Sequence, residues 1–279
     1  MTRCFTGSTL LMLIYAAGVL AIIGYLGASA LLAAPQPPDR PDAPVRRRLW
    51  SAVLFMALLA HGAVLAQLTF TPQGWNVSVF NAASLVAWCI ALLLSLLLLR
   101  QPLASLAVVI LPLAALALAV DLGIPSTYLV TETIAPGLRI HIALALIAYS
   151  LFAIAAVQAV FLAVAERQLR QHHPILNFLP PLPTMEAVMF QLTLIAFVLL
   201  TLSLVLGALS IENIRAQHLA HKIVFSVLAW AVFATLVVGR WRYGWRGRHG
   251  VKYVCAGLVL LALAYFGTKI VLELVLHRV

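Results

Sequence analysis

Charged side chains are scarce in this chain of 279 residues. Asp, Glu, Lys and Arg together make up 9% of it, whereas 64% of the residues are hydrophobic and the mean hydropathy is +1.06. Soluble domains carry about 25% charged and about 45–50% apolar residues. The composition excludes an ordinary soluble domain and predicts an all-α integral membrane protein, built as a polytopic helix bundle.

Cysteine is almost absent, and this excludes several kinds of site. The three cysteines, Cys4, Cys89 and Cys255, lie far apart in the sequence, and there is no CxxC pair. A disulfide framework, a CxxC metal site and a c-type haem attachment motif are therefore excluded.

Acidic residues are also few: 8 Asp and Glu stand against 18 Lys and Arg, which gives a net charge of +10. In a soluble protein this balance would favour nucleic acid binding, but here most basic residues lie in short loops beside apolar runs. Membrane proteins show this distribution because it sets their orientation. We therefore expect the lipid bilayer as a partner, and no nucleic acid.

Long apolar runs dominate the rest of the chain, and about 20 such residues suffice for a helix that spans a membrane. We predict eight spans, with Arg100, Gln101 and Pro102 forming a tight hairpin between the third and the fourth. No stretch between spans is long enough for a soluble domain, so residues 1–279 are expected to form a single membrane domain. The predicted spans are 9–33, 49–70, 82–99, 103–120, 140–165, 185–208, 221–239 and 252–276.

The loops differ in their content of basic residues. Loop 35–48 contains four arginines and loop 240–252 contains four arginines and a lysine, whereas loop 71–81 contains neither residue. Basic loops stay on the cytoplasmic side. With an even number of spans both termini are then predicted to face outward, into the periplasm if the membrane is a bacterial inner membrane. The first run lacks a cleavage pattern and is expected to be a retained helix.

Five of the eight histidines lie near the predicted outward ends of spans. His61 is about 12 residues into the second span, roughly 18 Å from its cytoplasmic start, so it falls in the outer half of the bilayer. The other four are His141, His218, His221 and His277. Three more, His172, His173 and His249, lie in predicted cytoplasmic loops, where a solvated histidine is expected.

Imidazoles near a membrane surface can bind haem iron, ligate zinc or copper, or carry protons. Zinc normally needs a close ligand pair with further ligands, and only His218 and His221 have the spacing of neighbours on one helical face. No HExxH or CxxC motif supports a zinc site. A further alternative is that these histidines rest at the headgroup level and bind backbone carbonyls.

Haem needs one or two imidazoles, an apolar pocket and cations for its propionates. The axial candidates are His141, then His221 and His61, with His277 as a weaker one. Three cations flank His141 and His221 in the sequence and are predicted to bind the propionates: Arg139, Arg215 and Lys222. We also expect His61, His141 and His221 to approach one another in one outward pocket.

Several motifs in residues 139–277 resemble the integral membrane cytochrome c assembly family, the CcsA/CcmC-type haem-handling proteins, and most closely its YpjD/HemX-like branch. His141 is followed eight residues later by Tyr149, as is the first external histidine of the family. Other segments occur in the family's order and spacing. They are AFVLLTLSLVLGAL at 196–209, LAW at 228–230, GWRG at 244–247 and AYFGTKIVLE at 264–273.

The chain also departs from the family pattern. CcsA proteins carry a tryptophan-rich WGxxWxWD segment that lies against haem, and this chain has IENIRAQHLAHK at 211–222 instead. Gly239 replaces an intramembrane histidine of CcsA, and His277 falls within a residue of the family's second external histidine. Among the family's histidine positions, only the one matched by His141 is clearly retained in this chain.

The resemblance implies a haem-binding or haem-handling protein of the inner membrane, linked to cytochrome c biogenesis or haem homeostasis. It implies haem as the cofactor and proteins of cytochrome c maturation or haem biosynthesis as partners. We expect that the protein is not an enzyme by itself. One alternative is a non-catalytic regulatory or scaffolding protein that has lost haem binding. Another is a proton-coupled transporter that uses His61, Lys269 and Glu273.

Two motifs also have ordinary structural interpretations. Thr184 is a natural N-cap residue, and Glu186 would then be an acidic residue in the first turn of the following helix. Trp245 and Arg246 fit the interfacial tryptophan and cytoplasmic arginine that anchor membrane helices.

Overall fold

A computed structural model describes residues 2–34, 43–72, 74–101, 103–124, 126–130, 136–171, 180–210 and 220–267. Within these ranges eight helices are long and apolar enough to cross a membrane, which confirms the predicted all-α membrane architecture. The helices are α1 (Thr2–Ala33), α2 (Ala43–Thr69), α3 (Val79–Leu97), α4 (Ala104–Gly123), α5 (Pro136–Arg170), α6 (Leu182–Ser210), α7 (Ala220–Tyr243) and α8 (Arg248–Ala262). A π-helical turn, Leu263–Gly267, continues α8.

The predicted break between the third and fourth spans is confirmed. Helix α3 ends at Leu97, and the amides of Arg100 and Gln101 both donate to its carbonyl oxygen, at 3.0 and 2.8 Å. Helix α4 begins at Ala104. The two runs are therefore separate helices and not one long one.

A small antiparallel sheet joins two loops of the N-terminal half, and the sequence did not predict it. Its strands are β1 (Phe70–Thr71), β2 (Gly74–Asn76) and β3 (Leu129–Val130), with Trp75 opposite both Phe70 and Val130. Each strand has two or three residues. Such short strands leave no usable alternation of polar and apolar residues.

The chain divides into two compact units, unit 1 (Met1–Glu132) and unit 2 (Thr133–Val279). In unit 1, α1 and α3 each pack against α2 and α4; in unit 2, α5 and α7 each pack against α6 and α8. Each unit is thus a ring of four helices. The single membrane domain expected from the sequence remains a prediction.

Close packing in unit 1 depends on small side chains. Ala21, Val64 and Leu118, from α1, α2 and α4, form its buried apolar cluster. Gly24 on α1 lies against Ala57 on α2, where an added Cβ would be 2.8 Å from the alanine Cβ. Small residues allow membrane helices to approach closely, and van der Waals contact then holds them together.

In the interior of unit 2, two aromatic rings are stacked. Phe152 on α5 and Phe233 on α7 are fully buried, with ring centroids 3.7 Å apart and an interplanar angle of 14°. Gly257 on α8 lies beneath them, where an added Cβ would be 2.4 Å from Phe233 Cζ. The rings thereby fill the space that the missing side chain leaves.

Thr184 and Glu186 have roles different from those predicted. Helix α6 begins at Leu182, so Thr184 is its third residue, and its amide donates to Pro181 O at 3.0 Å. The N-cap prediction is therefore wrong. Glu186 lies beyond the first turn and accepts a hydrogen bond from Arg240 Nη1 at 2.9 Å, which forms an ion pair between α6 and α7.

Candidate functional site

His141 lies near the start of α5 and is held by α6. Its Nδ1 is 2.7 Å from the carbonyl oxygen of Ser203, and because a carbonyl only accepts, Nδ1 must carry the proton and donate it. The Ser203 hydroxyl donates to the carbonyl oxygen of His141 at 3.1 Å and lies 3.0 Å from Nδ1. These reciprocal bonds fix the imidazole against α6.

Gly207, one turn after Ser203 on α6, makes room for the ring. An added Cβ at Gly207 would be 2.9 Å from both Cε1 and Nδ1 of His141, closer than side chains tolerate. At the same end of unit 2, Gly137 on α5 lies against Ser210, where a Cβ would be 2.9 Å from the hydroxyl oxygen. Glycines thus bring the start of α5 close to the end of α6.

The hydrogen bond at Nδ1 determines what the other ring nitrogen can do. With the proton on Nδ1, the neutral imidazole carries its free electron pair on Nε2. No hydrogen bond to Nε2 occurs among the residues that the structure describes. Metal-binding histidines are usually oriented this way, with one ring nitrogen donating to a carbonyl and the other left for the metal.

Other family motifs meet in the same unit. Trp230 of the LAW motif donates from Nε1 to the Thr201 hydroxyl of the α6 motif at 3.0 Å and stacks on Phe197. Tyr149 makes an edge contact with Phe266 of the AYFG segment, with centroids 6.3 Å apart. The motifs separated in sequence therefore form contacts between neighbouring helices of unit 2.

The predicted cations are only partly described. Arg139 is exposed, and since α-helical residues advance by about 100° each it projects from a different side of α5 than His141. Lys222 is half-buried in the first turn of α7. Two predicted residues, Arg215 and His277, lie outside the described residues, as does the side chain of His221, which belongs to α7.

Gly239, which the motif spacing sets against an intramembrane histidine of CcsA, is covered by an aromatic ring. An added Cβ there would be 2.2 Å from Cε3 of Trp245, and the Trp245 amide donates to the Gly239 carbonyl at 3.2 Å. Trp245 also stacks on His249 and Tyr253. A side chain at position 239 would have to displace this tryptophan.

His61 belongs to unit 1 and is fully buried. Its Nδ1 is 3.0 Å from the Tyr25 hydroxyl and its Nε2 is 3.0 Å from the Ser84 hydroxyl. Both ring nitrogens are therefore engaged, and a metal ion at either would have to break a hydrogen bond. The expected approach of His61, His141 and His221 remains a prediction, because the three residues are divided between the two units.

Sequence reasoning missed the partners of both histidines. Ser203 and Gly207 are four residues apart on α6, and Ser84 follows Asn81 by three on α3; both spacings place residues on one helical face. Small and polar residues at such spacings within apolar runs were the sequence signal that could have indicated a buried contact on that helical face. Asp121, one residue beyond the predicted fourth span 103–120, lies inside the last turn of α4.

The comparisons with known proteins agree with the motifs. The family model of the cytochrome c assembly protein matches residues 49–276, which extends the resemblance into unit 1. "Inner membrane protein YpjD" of Escherichia coli K12 is 35% identical over 234 residues, covering 82% of this chain and 88% of that protein. The protein of the same name from Escherichia coli O157:H7 gives the same identity and coverage.

A more distant relative covers part of the chain. The "Uncharacterized 28.8 kDa protein in nifR3-like 5'region" of Azospirillum brasilense is 33% identical over 148 residues, 51% of this chain and 55% of that protein. No solved structure gives a significant match. Eight apolar helices among the described residues and a relative named as an inner membrane protein support a multi-pass location in the inner membrane. By the match over most of its length, the chain belongs to the cytochrome c assembly protein family.

Proposed function

We propose that this protein binds haem through His141 and serves in cytochrome c biogenesis or haem homeostasis. The observation that carries the proposal is the hydrogen bond from His141 Nδ1 to the Ser203 carbonyl oxygen, which leaves Nε2 available. An imidazole held in this way has a fixed tautomer and a fixed orientation before a ligand arrives. Haem would supply a redox-active iron, while the protein holds and orients it.

The other residues proposed to bind haem differ in how well the structure supports them. Lys222, half-buried at the start of α7, is the described cation best placed for the propionates. Arg139, which projects from a different side of α5 than His141, and Arg215 are proposed after it. His221 is proposed as the second axial ligand and His277 as its substitute. His61 is the weakest ligand candidate, because both of its nitrogens already have partners.

An absorption spectrum of the purified protein supplied with haem tests the proposal. The wild type should show a Soret band, sharp and low-spin with two axial imidazoles and broader with one. His141→Ala should lose most of the band. His249→Ala is the matched control, because His249 is exposed, stacks on Trp245 and should leave the band unchanged.

One observation favours a second candidate function, a regulatory or scaffolding role without haem. The intramembrane histidine of CcsA is replaced by Gly239, and Trp245 fills the space. A wild-type spectrum no stronger than that of an unrelated membrane protein would overturn the haem proposal and favour this role. For either role, the proposed partners are proteins of cytochrome c maturation or haem biosynthesis.

We also propose that both termini face the periplasm, which puts His141 and the start of α5 on the periplasmic side. The support is the contrast between the arginine-rich loops 35–48 and 240–252 and the loop 71–81, which has no Lys or Arg. Reporter fusions after Arg48 and Arg248 should be active in the cytoplasm, and fusions at Gln73 or at the C-terminus only in the periplasm. A cytoplasmic C-terminus would contradict the proposed orientation.

A further inference from the structure

The turn between α7 and α8 in unit 2 concentrates positive charge. Residues 240–252 contain four arginines and one lysine and no acidic residue. Only Arg240 among these five is half-buried, and the other four side chains are exposed. The exposed cations are Arg242, Arg246, Arg248 and Lys252.

The half-buried Arg240 holds the turn in place. It donates hydrogen bonds to Glu186 at 2.9 Å and to the Trp245 carbonyl oxygen at 3.0 Å, and its guanidinium carbon lies 4.4 Å from the centre of the Phe190 ring. The Trp245 ring in turn stacks on Tyr253, with centroids 5.1 Å apart. The backbone that carries the exposed cations is therefore already ordered, which lowers the entropic cost of binding a ligand there.

The exposed cations are not neutralised by the protein. Glu186 is already bound to Arg240, and Arg246 reaches it only at 4.0 Å, with a side chain that is 75% exposed. Within the part of the chain that the structure describes, three cations have no acidic side chain within 4 Å. They are Arg242, Arg248 and Lys252.

Two of these cations share a face of α8 with exposed apolar residues. Arg248 and Lys252 are four residues apart, and Ala256 and Val259 follow at further steps of four and three residues, which keeps all four on one side of the helix. All four side chains are exposed, Val259 by 58%. This face therefore begins with two charges and continues as an apolar surface into the span.

Exposed aromatic side chains indicate the depth of this region in the membrane. Trp241 and Tyr243, in the last turn of α7, are 86% and 72% exposed. Tryptophan and tyrosine are enriched where the headgroups meet the hydrocarbon core. The cations of the turn that follows therefore lie at the level of the lipid phosphates.

The charged face lies at the opposite end of unit 2 from His141. Glu166 on α5 lies against Gly247, the residue before α8, where an added Cβ would be 2.8 Å from Glu166 Oε1. Glu166 follows His141 by 25 residues on the same helix, roughly 38 Å along its axis. A ligand at the start of α8 is therefore separate from the proposed haem site.

We propose that the face of α8 formed by Arg248, Lys252, Ala256 and Val259 binds an anionic phospholipid of the surrounding membrane. The phosphate lies between the two cations, and an acyl chain lies along Ala256 and Val259. Arginine can bind two phosphate oxygens at once, and lysine adds a point charge. The net negative charge of the lipid supplies what the protein does not provide at this turn.

The orientation of the protein in the membrane does not by itself account for this arrangement. Orientation requires only that basic residues lie on one side of the bilayer. It does not require them to be unpaired or to share a face with exposed apolar residues. A soluble acidic protein could contact the charges, but not Ala256 and Val259, which lie about 6 and 10 Å further into the span than Lys252.

Native mass spectrometry of the haem-free protein in detergent tests the proposal. Phosphatidylglycerol and phosphatidylcholine with identical acyl chains are titrated separately, so that only the headgroup charge differs. Phosphatidylglycerol should bind more tightly. Each Lys or Arg contributes about fivefold to binding at an anionic lipid surface, so Arg248→Gln combined with Lys252→Gln should weaken phosphatidylglycerol binding roughly 30-fold. The single variants should each lose about fivefold and serve if the double variant does not fold.

A matched control removes the same charge from the same end of unit 2. Arg167 and Arg170 are exposed in the last turn of α5, and Arg167→Gln combined with Arg170→Gln should leave phosphatidylglycerol binding unchanged. Ala256→Phe should weaken it without any change in charge, because the larger ring occupies the path of the acyl chain.

Three results would overturn the proposal. They are equal binding of the two lipids, an equal loss in the α5 control, and binding of soluble glycerol phosphate as tight as that of phosphatidylglycerol. The last result would show an anion site that does not involve the membrane. Since haem is absent and His141 is unchanged, failure of this test does not affect the haem proposal.

Discussion

Unit 1 and unit 2 are both rings of four helices, yet their buried polar side chains have different partners. In unit 1 the buried Tyr25, His61 and Ser84 bind one another across helices. In unit 2 the buried Gln158 and Thr193 donate to the backbone carbonyls of Met185 and Met189. The first arrangement connects groups that can exchange protons, whereas the second only satisfies single side chains.

The two histidines show what this difference means chemically. His61 has a hydroxyl at each ring nitrogen, and a hydroxyl can donate or accept, so the ring can change its protonation state. His141 has a carbonyl oxygen at Nδ1, and a carbonyl can only accept, so its tautomer is fixed and Nε2 is left for a ligand. A histidine's partners, more than its depth in the bilayer, therefore decide between proton and metal chemistry.

The largest expected effect concerns the apolar interior of unit 2. Phe152→Ala should lower the free energy of unfolding by roughly 3–5 kcal/mol, because it removes a fully buried ring stacked on Phe233 and leaves a cavity. Unfolding in mixed micelles, followed by helical circular dichroism, measures the change. Phe55→Ala on α2 is the control, since Phe55 is 59% exposed. Equal effects would show that Phe152 does not belong to a packed interior.

A smaller effect is expected where the His141 ring packs against Gly207. Gly207→Ala places a methyl group 2.9 Å from the imidazole and should turn or shift the ring. Disturbing the groups that orient a ligand typically weakens metal binding about 10–100-fold. Haem titration of the purified protein measures this. The matched control is Gly123→Ala on α4, where no atom lies within 4 Å of an added Cβ. An unchanged haem affinity in Gly207→Ala would show that haem binding does not depend on the packing of His141 against Gly207.

The smallest effect is expected for one hydroxyl of unit 1. Tyr25→Phe removes the partner of His61 Nδ1 and should lower the free energy of unfolding by about 0.6 kcal/mol, and at most about 1.7 kcal/mol, as for hydrogen bonds within other membrane bundles. Tyr15→Phe, on the same helix, should change it less, because the Tyr15 bond is long and exposed. A larger loss in Tyr15→Phe would contradict the importance assigned to the buried hydrogen bond between Tyr25 and His61.

The sequence predicted the helices well because each span is a long apolar run whose length the bilayer sets. The break at Arg100–Pro102 was also predictable, since proline and a charge interrupt such a run. The contacts of His61 and His141 were not, because the spacing of small and polar residues on one helix does not say which helix that face meets. Ser203 and Gly207 share a face of α6, but His141 lies 62 positions from Ser203.

Two further differences concern where helices begin and end. Thr184 had the chemistry of a helix cap, yet α6 begins two residues earlier, at Leu182, and Glu186 pairs with Arg240, 54 positions away. Asp121 was expected beyond the fourth span because it is charged, but α4 continues to Gly123 and includes it. In both places the helix extends beyond the boundary that local preference indicated.

The most direct test of the difference between the two histidines is a haem titration of two matched variants, His141→Gln and His61→Gln, beside the wild type. The account predicts that His141→Gln loses the Soret band and that His61→Gln keeps it at the wild-type haem affinity. Loss of the band in His61→Gln with its retention in His141→Gln would contradict the account, because it would place haem in unit 1.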